Sequence, residues 1–425
     1  MGNIFLKNLF WNVLFHYPII GKNVTLCHFV TGRNENRLQT KTALPILFVV
    51  MFLVMIGFGI IIPVLPFYAE EIGANPTELG LLMAVYSLMQ LIFAPIWGQV
   101  SDRIGRKPVM MIGIAGLALS FFIQAISTEL WMLFAARIVG GILSSANMPT
   151  AMAYVADITT EENRGKGMGI IGAATGLGFV FGPAIGGIFS KISLNMPFYL
   201  ACVSSCITLF MVFILLKESK QKTDDKGTER QSLWKAFDRK VSILYFVQFL
   251  ISLSLSGLEA TFAYFAAKRA GLDSIELGYI FMIMGFGSAI VQGGLVGRLT
   301  KKYGESMVIQ GGMVISVLGF SLILLVHSFS TAAIYLTIFG LGNGVIRPSV
   351  SSLLTKTSAA GHGHSTGLLS SFDSLGRIIG PPLGGWLFSL TMGLPYISGV
   401  VITIVAFVLF LIFRPQVSPV NLTNQ

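Results

Sequence analysis

Five acidic and arginine side chains lie within long apolar stretches of this sequence. They are Arg137, Glu259, Arg347, Asp373 and Arg377. A charge at the centre of a bilayer costs roughly 2.5 kcal/mol or more, so each is a candidate for a functional role. Glu259 has no charged neighbour before Lys268, and desolvation favours its neutral, protonated form. It is the first candidate for carrying a proton, with Asp373 as the second; the alternative is a neutral Glu259 hydrogen-bonded across a helix bundle.

The elements that position these residues follow from composition. The chain has 425 residues, of which 54% are hydrophobic and 11% charged, against about 25% charged in an ordinary soluble domain. A mean hydropathy of +0.76 excludes both a soluble protein and a single anchor on a soluble domain. Twelve apolar spans of membrane length are present, at 43–68, 79–100, 108–127, 130–151, 168–190, 196–216, 241–266, 277–297, 307–328, 331–354, 367–390 and 394–413. The sequence therefore predicts an all-α polytopic membrane protein with twelve transmembrane helices.

The basic residues fix the predicted topology. If the N-terminus is cytoplasmic, 23 of the 29 Lys and Arg residues lie on the cytoplasmic side, and only Lys191, Lys268 and Arg269 lie on the other. This asymmetry indicates that both termini are cytoplasmic. The net charge of +10 is therefore explained by topology and contact with membrane lipid, and nucleic acid is not an expected partner.

Metal, redox and nucleotide chemistry are not indicated. The three cysteines, Cys27, Cys202 and Cys206, cannot form a disulfide framework. His362 and His364 lie two apart in a Gly-rich segment, which is typical of a solvated loop. No phosphate loop of the GxxxxGK type is present, so ATP is not the expected energy source. We expect no cofactor, no metal site and no enzymatic activity.

An internal repeat divides the chain. The charged segment 217–240 separates the spans six and six. Gly178, Gly182, Pro183, Gly186 and Gly187 recur 198 positions later as Gly376, Gly380, Pro381, Gly384 and Gly385. The sequence thus predicts two pseudo-symmetric six-helix bundles, 43–216 and 241–413, joined by a cytoplasmic linker. Such duplication suits a transporter that rocks about a site near the bilayer midplane.

The ends of the chain lie outside the repeat. Residues 1–42 are apolar but interrupted by Lys7, His16 and Pro18, and they contain neither a secretory cleavage site nor a myristoylation pattern. We expect a cytoplasmic extension that lies at the membrane surface or is disordered, or a misassigned start codon. Residues 414–425 are expected to form a cytoplasmic tail.

The loop after the second span carries a motif. It runs Gly98-Gln-Val-Ser-Asp102-Arg103-Ile-Gly105-Arg106-Lys107. Small residues allow two helix ends to approach, and Asp102 can accept from a helix N-terminus or from an arginine across the bundle interface. The alternative is a tight, positively charged loop that sets topology. This segment resembles the loop signature of the major facilitator superfamily, G-x-x-x-D-R-x-G-R-R/K.

Two further segments carry the same resemblance. The fifth span contains Gly178-Phe-Val-Phe-Gly182-Pro183-Ala-Ile-Gly186-Gly187, which is similar to the antiporter motif of that superfamily's drug:proton exporters. It provides a groove for close helix packing, and Pro183 frees a carbonyl group. Leu133 to Gly141, centred on Arg137, resembles a third signature of the family. The resemblance covers residues 43 to 413.

The resemblance implies a proton-coupled exporter, usually a monomer, in the cytoplasmic membrane of a bacterium. An acid at the Glu259 position is similar to what several multidrug exporters of this group carry. Related pumps often place an acid about one turn before the Arg347 position, but here Asn343 and Gly344 stand there. The first span has no acid between residues 43 and 69, so coupling through that helix is not expected.

The second half departs from the loop signature. Lys301 stands where Asp102 stood, and Glu305 stands where Arg106 stood. The acidic and basic positions are exchanged. We hypothesise a charge lock that closes the cytoplasmic side in the outward-open state, with the cations of one half facing the acid of the other.

The predicted pocket combines aromatic groups with one carboxylate. Glu259 and Phe262 share a helix face, as do Tyr86 and Gln90. Such a pocket suits flat, hydrophobic, often cationic small molecules. For the aromatic residues, packing in the core or against lipid is the alternative.

Asp373 and Arg377 are four residues apart, so the alternative to a functional role is that they neutralise each other. Rival functions are an exporter dedicated to one tetracycline, sugar or metabolite, a non-transporting receptor or scaffold, and lipid movement.

Overall fold

A computed structural model describes residues 28–219, 239–358 and 362–412. Most of the predicted N-terminal extension, most of the linker and the C-terminal tail lie outside the described residues. The chain divides into two units, Met1–Thr42 and Ala43–Gln425. The account below concerns the second unit.

In the described part of the chain, twelve long helices follow one another and no strand is present. They are α1 (His28–Glu71), α2 (Pro76–Ile104), α3 (Arg106–Ala125), α4 (Leu130–Ile158), α5 (Glu161–Ser190), α6 (Met196–Leu215), α7 (Arg239–Ala270), α8 (Ser274–Tyr303), α9 (Glu305–Ile323), α10 (Phe329–Thr357), α11 (His362–Leu390) and α12 (Leu394–Ile412). Within the described residues, eleven of these helices are long and apolar enough to cross a membrane. The membrane-competent part of α1 begins at Thr42, and that of α7 begins at Val241. The exception, α11, has 29 residues but is rich in Gly, Ser and Pro and carries Asp373 and Arg377. The prediction of an all-α polytopic protein is confirmed.

Two helices depart from regular α geometry. Helix α4 consists of Leu130–Ser144 and Asn147–Ile158, separated by a turn. Pro149 lies just after this turn, and its ring nitrogen cannot donate to the preceding turn of helix. In α8, Val291–Leu295 is π-helical and contains two adjacent glycines. The sequence predicts a single regular span for each of these helices, so both irregularities are findings of the structure.

The helix ends repeat between the halves. Helix α2 begins with a capping box in which Asn75 accepts from the Glu78 backbone N–H at 2.9 Å. The same box, Asp273 with Glu276, begins α8. At the other end of these helices, Gly105 (φ +112°) and Gly304 (φ +79°) make the sharp turns into α3 and α9, in a backbone conformation that favours glycine. We call the end of the bundle with Gly105 and Gly304 the motif face, and the opposite end the distal face.

The two halves pack together through α2 against α11 and α5 against α8. Near the distal face, the Tyr264 hydroxyl donates to the Pro66 carbonyl at 3.0 Å. The Ser190 and Ser274 hydroxyls are 2.7 Å apart. In this conformation, hydrogen bonds therefore join the halves at the distal face.

Candidate functional site

A cavity lies between the two halves. Its volume is about 290 Å³, near the lower end of the range of about 300–1,000 Å³ for small-molecule sites. Helices α1, α2, α4 and α5 form one wall, and α7 and α11 form the other. Most of the lining is apolar, for example Met55, Phe58, Ile61, Met83 and Phe179. The cavity is therefore suited to an apolar molecule with few polar groups.

The polar part of the first wall is built around Tyr86. Its hydroxyl lies 2.7 Å from the Ser144 Oγ and accepts from Gln90 Nε2 at 3.0 Å. The Arg137 guanidinium lies 5.6 Å from the centroid of the Tyr86 ring, a cation–π arrangement. This contact depends on Gly141, because a Cβ there would lie 2.8 Å from the Tyr86 carbonyl oxygen. Tyr86 and Gln90, predicted as pocket residues, both line the cavity.

The second wall presents Glu259 and Arg377 to the cavity. Glu259 is partly buried and forms no ion pair within 4.0 Å with the described residues. Arg377 behaves differently, because its Nε lies 3.3 Å from the Asp373 carboxylate. Of the two acids named as proton carriers, Glu259 is therefore the one that faces the cavity without an ion-pair partner.

Asp373 lies at the centre of a polar cluster behind this wall. It is 7% exposed and accepts hydrogen bonds from Ser252 and, at 2.8 Å, from Gln248. Its carboxylate also lies 3.5 Å from Arg347, in addition to the contact with Arg377. The acid that the sequence around Arg347 lacks is thus supplied by α11. This arrangement corresponds to the neutralisation alternative for Asp373 and Arg377, with a second arginine added.

The loop motif at the motif face is tied together within its own half. Arg106 contacts Asp102 at 2.5 Å and Asp157 at 2.9 Å. The expectation that Asp102 accepts from a helix N-terminus is not met, since the backbone N–H groups of Arg106 and Lys107 instead donate to Glu218, at 2.8 and 3.1 Å. In this conformation, the ion pair of Asp102 within the described residues lies inside its own loop.

The equivalent loop of the second half has the same contact with inverted charge. Glu305 stands where Arg106 stood, and it pairs with Lys356 and accepts from Ser352 at 3.0 Å. Lys356 lies 199 positions after Asp157, the offset that also relates Glu305 to Arg106. The exchange of acid and base predicted for this loop therefore extends to the partner residues, which are Asp157 on α4 and Lys356 on α10.

The glycines of the fifth-span motif face two different neighbours. A Cβ at Gly178, Gly182 or Gly186 would collide with the backbone of α1 in the same half. A Cβ at Gly187 would instead lie 2.7 Å from the Ser274 carbonyl oxygen of α8, across the interface. The Pro183 carbonyl oxygen also lies at this interface, 2.5 Å from where a Cβ at Gly278 would be. The motif thus serves close packing both within a half and between halves.

The comparisons agree with these signatures. Residues 47–305 and 244–425 match the profile of the Major Facilitator Superfamily. The chain belongs to this superfamily. It is 30% identical over 362 residues to Multidrug resistance protein 1 of Bacillus subtilis (strain 168), covering 84% of this chain and 92% of that protein. It is 27% identical over 373 residues to the Quinolone resistance protein NorA of Staphylococcus aureus (strain MSSA476), covering 86% of this chain and 95% of that protein.

Solved structures show the same fold. A bacterial homologue of the human lysosomal transporter Spinster, in an inward-facing and occupied conformation, aligns with a TM-score of 0.76 and 14% identity. That alignment covers 88% of this chain and 97% of that chain. The human organic anion transporter MFSD10 aligns with a TM-score of 0.65 and 24% identity, over 87% and 99% of the two chains. This chain is therefore a multi-pass membrane protein with the major facilitator fold.

Two expectations about this superfamily member need correction. Phe262 does not line the cavity; it is 0% exposed and packs against Phe281 with ring centroids 5.8 Å apart. Three residues along a helix turn a side chain by about 60°, enough to carry Phe262 from the cavity wall into the core. Gly98 does not serve close packing, because a Cβ there would meet nothing within 4 Å. Gly105 is the glycine that the loop requires.

Sequence reasoning missed several partners of the motif residues. Asp157, Glu218 and Lys356 pair with the loops, and Ser144 holds the Tyr86 hydroxyl. All four are separated from their partners by more than 45 residues, so helical spacing could not pair them. The repeat offset of 199 was the one available signal, since it relates Asp157 to Lys356.

Proposed function

We propose that this chain is a proton-coupled antiporter that exports hydrophobic, often cationic compounds across the cytoplasmic membrane of a bacterium. The observation that carries the proposal is the cavity between the halves, whose largely apolar walls contain the carboxylate of Glu259, which forms no ion pair with the described residues. The names of the relatives, a multidrug resistance protein and a quinolone resistance protein, support a drug as substrate. The alternative function to test is an exporter dedicated to one substrate, such as a tetracycline, a sugar or a metabolite.

In the proposed cycle, the motif face is cytoplasmic and both termini lie on that side. A compound enters the cavity from the cytoplasm or the inner leaflet while the distal face is closed. The halves then rock so that the distal face opens, and a proton binding Glu259 from outside favours release by population shift. The protein acts as a monomer in contact with lipid, without a cofactor and without covalent chemistry.

The test is ethidium efflux from energised vesicles, with and without a protonophore, for wild type and Glu259→Gln at matched protein levels. Glu129→Gln is the control, because Glu129 is an exposed acid whose side chain makes no cap hydrogen bond. We expect the protonophore and Glu259→Gln to abolish efflux while the control transports normally. Undiminished efflux by Glu259→Gln would contradict the assigned proton carrier.

Inhibition by unrelated dyes then separates broad from dedicated export. A dedicated exporter would respond to one chemical class only. Absence of both ethidium efflux and ligand-induced proton flux would favour a receptor or scaffold. Redistribution of labelled lipid between leaflets would favour lipid movement.

A further inference from the structure

Arg137 is a buried cation without an anionic partner among the described residues. It is 7% exposed, and its Nε has no hydrogen-bond partner. The ion pairs of the described residues involve Arg106, Arg347, Lys356 and Arg377, and none involves Arg137. Among the described residues, its one defined electrostatic neighbour is the face of the Tyr86 ring.

A buried charge of this kind calls for compensation. Removing a guanidinium from water is costly unless an anion and hydrogen-bond acceptors replace the solvent. Helix α1, which lines the same wall, contains no acid between residues 43 and 69. Arg377, by contrast, has the Asp373 carboxylate at 3.3 Å. The guanidinium that lacks compensation is therefore the one on the first wall.

Arg137 and Glu259 lie on opposite walls of the same cavity. The first wall thus presents Arg137, which has no anionic partner among the described residues, and the second presents Glu259 beside Arg377, whose ion-pair partner is Asp373. A molecule carrying both an amine and a carboxylate, with an apolar body, matches this pair of charges. When Glu259 is protonated, the remaining charge of Arg137 selects for the carboxylate alone.

We propose that Arg137 binds a carboxylate, or a similar monoanionic group, of the exported compound. The preferred substrates are then zwitterionic amphiphiles, in which the amine faces Glu259 and the carboxylate faces Arg137. This inference rests on the exporter proposed above and specifies the substrate class of the same cavity. It adds to that proposal a preference for compounds with an anionic group, which a simple lipophilic cation lacks.

Two dyes with the same xanthene body test the proposal. Rhodamine 110 carries a free carboxylate, and rhodamine 123 is its methyl ester, so the pair differs only in the group assigned to Arg137. Binding is measured by fluorescence anisotropy with the full chain in nanodiscs near neutral pH, without a proton gradient. A charge-assisted hydrogen bond to a buried guanidinium changes affinity by about tenfold or more, so wild type should prefer rhodamine 110 by at least that factor.

The variants are Arg137→Gln and Arg137→Lys, with Arg269→Gln as control because Arg269 is exposed and outside the cavity. Arg137→Gln should lose the preference by weakening rhodamine 110 binding while rhodamine 123 binding changes little. Arg137→Lys retains the charge and should retain part of the preference, which shows that a loss in Arg137→Gln is not due to misfolding. The control should bind both dyes as wild type does.

Equal binding of the two dyes by wild type would overturn the proposal. So would an equal loss of both dyes in Arg137→Gln with normal binding in Arg137→Lys, because Arg137 would then serve a general role such as pairing with Glu259 in another conformation. Ethidium efflux measured on the same preparations keeps the two proposals apart. Efflux without a carboxylate preference contradicts this inference alone, whereas a carboxylate preference without any efflux contradicts the exporter.

Discussion

Substitution of two glycines at the interface between the halves should prevent the distal face from closing. Gly80 on α2 packs against the Pro381 carbonyl group of α11, and Gly278 on α8 packs against the Pro183 carbonyl group of α5. The two contacts are related by the repeat, since both members differ by 198 positions. Alanine at either glycine adds one Cβ at the contact that holds the distal face together.

The magnitude follows from the distances. A Cβ at Gly80 would lie 2.6 Å from the Pro381 carbonyl carbon, and a Cβ at Gly278 would lie 2.5 Å from the Pro183 carbonyl oxygen. Real Cβ atoms essentially never come within 3.0 Å of such atoms, and backbone carbonyls cannot rotate away. Overpacking of this kind costs about 1–3 kcal/mol in the closed conformation and nothing where the contact is absent. The ratio of distal-closed to distal-open molecules should therefore fall by about five- to 150-fold for each substitution.

The assay is a distance measurement by double electron–electron resonance across the distal face. Spin labels at Ile192→Cys and Met392→Cys lie on exposed positions of opposite halves, in loops at that face. The native cysteines are replaced by serine. Gly80→Ala and Gly278→Ala should each move the distance distribution toward longer values, and the double variant should move it further because the sites share no contact.

The control is Gly176→Ala, a substitution on α5 where a Cβ would meet nothing within 4 Å. It should leave the distribution as in the parent. If Gly80→Ala and Gly278→Ala also leave it unchanged in correctly folded protein, the assignment of these contacts to the closed distal face is refuted.

Two other substitutions test the charged clusters. Asp373→Asn should lower the melting temperature in detergent, because it leaves Arg347 and Arg377 together without a carboxylate. We expect the free energy of unfolding to fall by about 2 kcal/mol. Breaking a fully buried ion pair costs about 3–5 kcal/mol, but here both guanidinium groups are partly exposed. A melting temperature equal to wild type would contradict this role. Asp102→Asn should reduce dye efflux. The amount of protein in the membrane, measured on immunoblots, should not fall, because the Asp102 side chain is 63% exposed and contributes little to folding. Efflux equal to wild type would rule out a charge lock.

The fold was largely predictable from the sequence. Apolar spans of membrane length predicted the twelve helices, because a bilayer requires such lengths whatever the residues' neighbours. Two irregularities were not predictable from hydropathy: the turn that divides α4 near Pro149 and the π-helical segment Val291–Leu295 of α8. Both change backbone geometry without changing apolar composition.

The candidate site was predictable in part. Glu259, Arg137 and Arg377 were identified by the cost of burying a charge, and all three line the cavity. The partner of Arg347 was not identified, because Asp373 reaches it from another helix. The prediction that Phe262 lines the pocket was wrong, because it lies in the core. A spacing of three residues from Glu259 does not decide whether a side chain faces the cavity or the core.

The two halves carry inverted charges at equivalent positions of their loops. Arg106 with Asp157 in one half corresponds to Glu305 with Lys356 in the other. The exchange also places Lys301 at the position equivalent to Asp102. Under the charge-lock hypothesis, closure of the motif face would bring the acid of one half to the cations of the other, whereas in this conformation the contacts of Gly80 and Gly278 lie at the closed distal face.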